Sequence, residues 1–512
     1  MITDPDAIVI GSGPNGLAAA VTLARAGLSV HVYERNATAG GGMRTEPITL
    51  PGFVHDMCSA VHPLAFASGF FRRFGIEKRT PFIVPTASYG HPLDGGRAAL
   101  AYRDLERTVD DLGEDGPAFG RLLGPLVEHA DEVAEFTGSQ VLQVPRHPVT
   151  AARFALTMLR QGGPWWNLPF RGEEAGALLT GVFAHSTLPL PSLAGAAAGL
   201  TLATYAHARG WPIPVGGSQS IADAMLDDLV AHGGELITGV DVASLAELPS
   251  TRAILFDTSA EAAVRLGEDR LSANYLRKIS RFRTGNGVAK VDFALSGPVP
   301  WENRELAGTA TVHVGGTREA IARHEREVAA GRHGTDPYVL VSQPSLFDST
   351  RAPAGQHVLW AYTHVPRGSA IDQQEAIIRQ IERFAPGFRD LILATSSRTA
   401  VDMQHYNPNY IGGDISAGAP DFRQLIARPV LSTEPWRMPG RGLYLASAAA
   451  APGPGVHGLP GYYAARSALR HEFGINRMPS LAPDGQSPAA AAAPPPVFPD
   501  EFSLRPDGLP EQ

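Results

Sequence analysis

The 512-residue sequence holds one cysteine, Cys58. A single thiol excludes an intramolecular disulfide, a CxxC redox pair and a cysteine-rich zinc site. Basic blocks are missing too. The 43 Lys and Arg against 51 Asp and Glu leave a net charge of −8, which argues against a nucleic-acid partner. No apolar run reaches the roughly 18 residues that a membrane span needs. The most apolar stretch, 175–208, is interrupted by Pro189 and Pro191. No Ser-His-Asp constellation stands out, and His55 and His62 have no third ligand at a fitting spacing, so no metal site is expected. No internal repeat is visible. The first apolar run begins within six residues of Met1, so no cleavable leader is expected, and the single thiol suits a cytoplasmic setting.

The chain is organised around its start. Ala7-Ile8-Val9-Ile10 has the length of a buried parallel strand. Gly11, Ser12, Gly13, Pro14, Asn15 and Gly16 then form a GxGxxG before a helical stretch, Leu17 to Ala26. Gly11 permits the turn, Gly13 lets a pyrophosphate reach the backbone, and Gly16 lets the helix lie close on the strand. The helix N-terminus offers free amides to phosphate. A second strand, Ser29 to Tyr33, leads to Glu34 and Arg35. A carboxylate at Glu34 accepts from ribose hydroxyls and repels a 2′-phosphate.

Two further loops fit the same ligand. Gly40-Gly41-Gly42-Met43-Arg44-Thr45 reads as a second anion loop, with Gly41, Gly42 and Arg44 as candidate contacts. Near the other end, Gly442 to Ser447 reads as a strand, followed by a loop through Gly455, Val456, His457 and Gly458 and a helical run to Leu469. A helix start there is placed to hold the carbonyl edge of a flavin. The GxGxxG at 11–16 is the one followed by a helix, a second strand and an acid, so a separate NAD(P)H domain is not expected.

The stretches GSGPNGL with Glu34, GGGMRT, PVGGSQSIADAML and GLYLASAAAAPGPGVHGLPG together resemble the FAD-dependent phytoene desaturase-related oxidoreductases, over residues 5–475. Within them the chain is most similar to the pyridine nucleotide-disulphide oxidoreductase domain-containing branch. The resemblance implies an α/β fold: a Rossmann-like (glutathione-reductase-type) FAD-binding domain with an interleaved α+β substrate domain. The FAD-binding parts are then 1–90, 214–285 and 431–475. The substrate domain is a mostly helical part, 91–213, and a sheet part, 286–430. The implied cofactor is FAD, with the backbone near Val242 at the adenine. The implied chemistry is hydride exchange with a hydrophobic, polyene- or isoprenoid-like small molecule, and oxygen or a quinone as acceptor. A flavin-fold interaction protein and an amine oxidase are the alternatives. The sequence departs from the family where it runs from Val242 directly to the strand near Ala253, which implies a deleted hairpin.

Other segments carry expectations of their own. Residues 64–160 read as helices with polar breaks. Stretch 175–208 fits either two helices lining the substrate cavity or a peripheral membrane surface; it has no Lys, and Arg209 sits only at its end, which favours the cavity. His185, Tyr205 and His207 are polar groups in this apolar setting, and His185 joins His457 as a candidate catalytic residue. Ser220 and Asp223 suggest an S-x-x-D helix start. The polar loop Tyr406 to Asp414 is either a functional wall or turn-building material. Residues 476–512, rich in Ala and Pro, read as a disordered tail. Oligomeric state is not legible.

Overall fold

The structure is a computed structural model that describes residues 4–140, 142–166 and 168–483. In chain order the strands that matter are β1 (Ala7–Ile10), β2 (Val30–Glu34), β3 (Ala87–Leu93), β4 (Arg97–Tyr102), β5 (Glu235–Thr238), β6 (Ala253–Phe256), β7 (Gly287–Leu295), β8 (Thr309–Val314), β9 (Val339–Ser342), β10 (His357–Val365), β11 (Ile392–Arg398) and β12 (Leu443–Leu445). The helices used below are α1 (Pro14–Arg25), α2 (Pro148–Gln161), α3 (Glu174–Phe183), α4 (Leu193–Ala208), α5 (Gln219–Ala231), α6 (Gln374–Glu382) and α7 (Leu459–Phe473).

Five strands form an all-parallel sheet in the order β12-β6-β1-β2-β5. β1 and β6 are buried at every residue, as strands covered on both faces must be. Helices α1, α5 and α7 pack together beside this sheet. All five strands were legible as short runs between turns, Glu235 to Val240 included, and the direct passage from β5 to β6 matches the missing hairpin.

A second sheet has the order β11-β7-β10-β9-β8-β3-β4, antiparallel except for the β8–β3 pair. Its strands alternate in character. Val291, Phe293, Val312, Val339 and Leu359 lie on one face against Ile377, Ile378 and Ile381 of α6. The opposite face carries Lys290, Asp292, Tyr362, His364 and His313, and α3 and α4 pack over part of it. A one-residue slip would exchange these faces, so burial of the apolar one fixes the register.

Three expectations change. The hairpin β3–β4 lies inside the stretch read as helical. β3, Ala-Ser-Tyr-Gly-His-Pro-Leu, is buried at every residue and has no apolar alternation to announce it. α5 begins at Gln219, and the S-x-x-D start is not used: Ser220 Oγ donates to Gly217 O and Asp223 accepts from Gln219 Nε2. Of the expected tail, Leu481 and Ala482 are buried, and Ala482 O accepts from Arg25 Nη1 at 2.9 Å. Residues 484–512 lie outside the described residues.

Candidate functional site

The site starts where β1 ends. Gly11 turns the chain at φ +99°. Gly13 is the N-cap of α1 and Pro14 its first residue, where a missing N–H leaves nothing unpaired. A side chain at Gly16 would collide with the Gly11 carbonyl and lie 2.9 Å from Asp257 Cβ, so the third glycine serves close approach to the end of β6. Asp257, just past β6, accepts from Gly16 N at 2.9 Å. Burial pushes its carboxyl up to about 7 despite that bond, and the charge of Glu34 adds to the rise.

Glu34 ends β2 with its carboxylate turned to the same loop. Oε2 accepts from Ser12 N at 3.1 Å and Ser12 Oγ at 2.6 Å, and Oε1 from Asn36 N at 2.9 Å. Val240 N donates to Glu34 O at 3.0 Å, so the segment leading to buried Val242 passes here. Arg35 is exposed. Asn15 is buried and its Oδ1 has no hydrogen-bond partner.

The second glycine loop touches the first. Gly40 N donates to Ser12 O at 2.9 Å, and a Cβ on Gly41 would sit 2.9 Å from Gly13 Cα. Gly42 O accepts from Ser59 N at 3.3 Å, which draws in residues 57–59. Arg44 is fixed by Gly41 O, 3.2 Å from its Nε, and its guanidinium lies 4.3 Å from the ring centre of Tyr406. Tyr406 Oη donates to Gly41 O at 3.3 Å, and Tyr410 is hydrogen-bonded to Cys58.

The third loop arrives with α7. Gly461 lies against the backbone of Asn15, leaving no room for a Cβ. Gly455 is exposed at the loop tip and Val456 half-buried. His457 is buried; its Nδ1 accepts from Leu459 N at 3.1 Å, and its carbonyl accepts from Ser68 Oγ at 2.5 Å. Burial lowers its imidazole to about 4, so this His is a neutral cap on α7. All three glycine loops therefore meet at the N-terminal end of α1, where the close approach of backbone and Asp257 at Gly13, Gly16 and Gly41 leaves no room for a side chain. Backbone amides, close approach and a carboxylate at the next strand end fit a dinucleotide.

Beyond Cys58 lies the polar face of the second sheet. Lys290 and Asp292 form a buried ion pair. Lys290 Nζ is 5.7 Å from the Trp360 ring centre. Burial lowers the Lys290 pKa and raises that of Asp292, so the two hold a proton between them on easier terms than either alone. His55 Nδ1 is 3.7 Å from Asp292 Oδ1, and Arg351 pairs with Asp56 at 2.5 Å. Asp56 also accepts from Ser218 N at 2.8 Å.

His185, on the turn after α3, lies elsewhere from His457. Its Nε2 is 2.9 Å from His313 Nε2 on β8, and its ring centre is 5.6 Å from Trp211. Asp257, Lys290, Asp292 and His313 were not singled out from sequence. Lys290-x-Asp292 inside an otherwise apolar strand is the one signal that was legible there. No group of three or more His, Cys, Asp or Glu among the described residues is placed to hold a metal ion.

Residues 9–73 match the family model described as an NAD(P)-binding Rossmann-like domain. The chain is 25% identical to the rat protein named pyridine nucleotide-disulfide oxidoreductase domain-containing protein 2, covering 91% of this chain and 93% of that one. It is 31% identical to 4,4'-diapolycopen-4-al dehydrogenase of Metabacillus indicus over 24% of this chain and 25% of the other. Among solved structures, putrescine oxidase bound to putrescine superposes with TM-score 0.59 at 16% identity, over 92% of this chain and 100% of that one. The fold is that of the FAD-dependent oxidoreductases of the amine-oxidase type, and the sequence relatives place the chain among oxidoreductases.

Proposed function

We propose that this oxidoreductase carries FAD across the three glycine loops and moves a hydride between a hydrophobic, polyene- or isoprenoid-like molecule and the flavin, with oxygen or a quinone taking up the two electrons. One observation carries the reading. Contacts run without a break from Gly13 through Gly41 and Gly42 to Cys58 and Tyr410, and Lys290 lies within electrostatic reach of Cys58. A cofactor held at the glycine loops would find Cys58, Tyr410 and the polar sheet face along that path.

The residues divide the work. Gly11, Ser12, Gly13, Asn15 and Gly16 form the turn at the pyrophosphate, its shape held by Gly16 N on Asp257 and Ser12 N on Glu34, and Glu34 with Arg35 stands at the ribose. Val242 is assigned to the adenine, and Gly41, Gly42, Arg44, Gly455, Val456 and His457 to the remainder. FAD, when bound, supplies the hydride acceptor. Lys290 Nζ is paired with the carboxylate of Asp292 beside the ring of Trp360, where burial lowers the lysine. His457 positions its loop through Leu459 N. The similarity to 4,4'-diapolycopen-4-al dehydrogenase supports a hydrophobic substrate.

A specific observation also favours peripheral contact with a membrane. The apolar stretch 175–208 is interior: every residue of α3 except Glu174 is buried. Several exposed apolar side chains fall together in sequence on α2 and the segments beside it. Val144, Val149, Leu156, Leu159, Trp165 and Leu168 are 51–83% exposed. Arg153 and Arg160 edge this stripe on the solvent side, and no Asp or Glu occurs from 142 to 172 in a chain of net charge −8. A Trp-bearing apolar face with an Arg border suits an anionic leaflet. No helix among the described residues is long and apolar enough to cross a membrane.

The first test is the visible spectrum of the purified protein, before and after acid precipitation. A flavin band that moves to the supernatant, followed by anaerobic bleaching with a hydrophobic substrate, is expected. A protein that neither contains nor takes up FAD would leave the interaction-protein alternative. For the membrane surface, flotation with phosphatidylglycerol-containing vesicles is expected for the wild type and abolished in L156E/L159E.

A further inference from the structure

We infer that His185 and His313 form a polar anchor for an uncharged oxygen group, a hydroxyl or carbonyl, at the end of the substrate remote from Lys290. The inference rests on the oxidoreductase reading, because it takes the Lys290 end as the place of reaction.

Four observations lead to it. The first is the register. Lys290 pairs with Tyr362, Tyr362 with Leu340, and Leu340 with His313. One row of residues therefore crosses from β7 to β8 over three strand spacings, roughly 14 Å. A chain of about ten carbons spans that distance.

The second is the geometry of the pair. Two imidazole nitrogens 2.9 Å apart share one N–H. In either tautomeric arrangement one ring donates through Nε2 and the other accepts. The outer Nδ1 of His185 is then an acceptor in one arrangement and a donor in the other. That ambivalence matches a hydroxyl, which both gives and takes, and a carbonyl, which takes.

The third is what faces the pair. His185 is only half-buried, as is Cys58, which lies near Lys290 at the other end of the row. Cys58, Val61, Ala197 and Leu202 are half-buried and pack on the same core. Tyr89 Oη, Thr311 Oγ1 and His313 Nδ1 are buried without a hydrogen-bond partner around the pair, whereas buried polar groups ordinarily have one.

The fourth is strain. Thr187, two residues after His185, holds φ +55°. A β-branched residue in the left-handed region is costly and collects at functional turns.

The charge of the anchor follows from its surroundings. Burial and the neighbouring His364 lower His185 to about 3, and burial lowers His313 well below the ordinary imidazole value. A neutral pair has no ionic attraction for a carboxylate. The matching ligand is an alcohol or aldehyde.

The test is calorimetric titration of the full chain with farnesol and with farnesene, its hydrocarbon counterpart, in the same micelle. Farnesol is expected to bind at least tenfold more tightly. His185→Leu should bring the two within threefold and leave farnesene unchanged. His185→Asn, which returns an amide near the Nδ1 position, should restore most of the preference. Equal binding by the wild type, a preference that survives in H185L, or no binding of either compound overturns the anchor. The visible spectrum is read on the same sample. A farnesol preference in a protein without flavin would remove the redox reading and leave the anchor standing.

Discussion

Asp257→Asn tests the electrostatics at the start of α1. The carboxyl sits where Gly16 N donates to it at 2.9 Å and is raised from the ordinary 3.8 to about 7, first by burial and then by Glu34. A carboxyl raised in the folded state contributes nothing adverse below its unfolded value. Its penalty grows as pH rises from about 4 and is complete above about 7. The full span is worth about 4 kcal/mol as an upper figure. An asparagine keeps an oxygen for Gly16 N and removes the charge. D257N and wild type should therefore differ by less than about 1 kcal/mol at the acid end of that span. D257N should gain up to about 4 kcal/mol above it. Urea unfolding across the range, followed by the fluorescence of the dinucleotide-binding domain, reads the difference. A gap that does not change with pH, or a D257N protein less stable at alkaline pH, refutes the argument. The same removal of charge should tighten flavin binding at alkaline pH, since pyrophosphate would approach the same helix end.

Three other outcomes follow from named contacts. Gly41→Val places a side chain 2.9 Å from Gly13 Cα at a φ of +56°; it should abolish flavin uptake in the visible spectrum while far-ultraviolet circular dichroism is retained. Arg351→Met leaves Asp56 buried without its cation and should cost about 3–5 kcal/mol in urea unfolding. Burial alone would raise Asp56, but Arg351, Ser218 and Thr45 hold it below the ordinary value, so the wild-type contribution is present above 3.8 and lost on acidification. His457→Ala removes the acceptor for Leu459 N and should cost about 1 kcal/mol at neutral pH. Because burial lowers His457 from 6.5 to about 4, the wild type alone should weaken as pH falls through that interval.

The sequence by itself determined the dinucleotide end of this protein. A buried four-residue strand, glycines at three spaced positions and an acid after the next strand are local requirements, and the chain meets each within its first 35 residues. The loop at 40–45 and the loop before α7 were legible for the same reason: only glycine tolerates such approach to backbone, and glycines stand out in any sequence. The loop Tyr406 to Asp414 divided between its two readings. Asp414 builds a turn by accepting from Gly285 N, Ser416 N and Gly418 N, whereas Tyr406 and Tyr410 face the second glycine loop.

Tertiary structure alone decided the rest, because long-range pairing leaves no local trace. The hairpin β3–β4 pairs at Ala87, Tyr89 and Gly90 with β8, some 220 residues away. Asp257 becomes a neighbour of Gly16 across 241 residues. His185 acquires its meaning from His313, 128 positions on. Lys290 and Tyr362 share a row only once β7 and β10 have paired in register. A sequence shows which residues can do chemistry. Which of them meet is decided by sheet register and helix packing, since burial of Val291, Phe293 and Leu359 on one face turns Lys290, Asp292 and Tyr362 to the other.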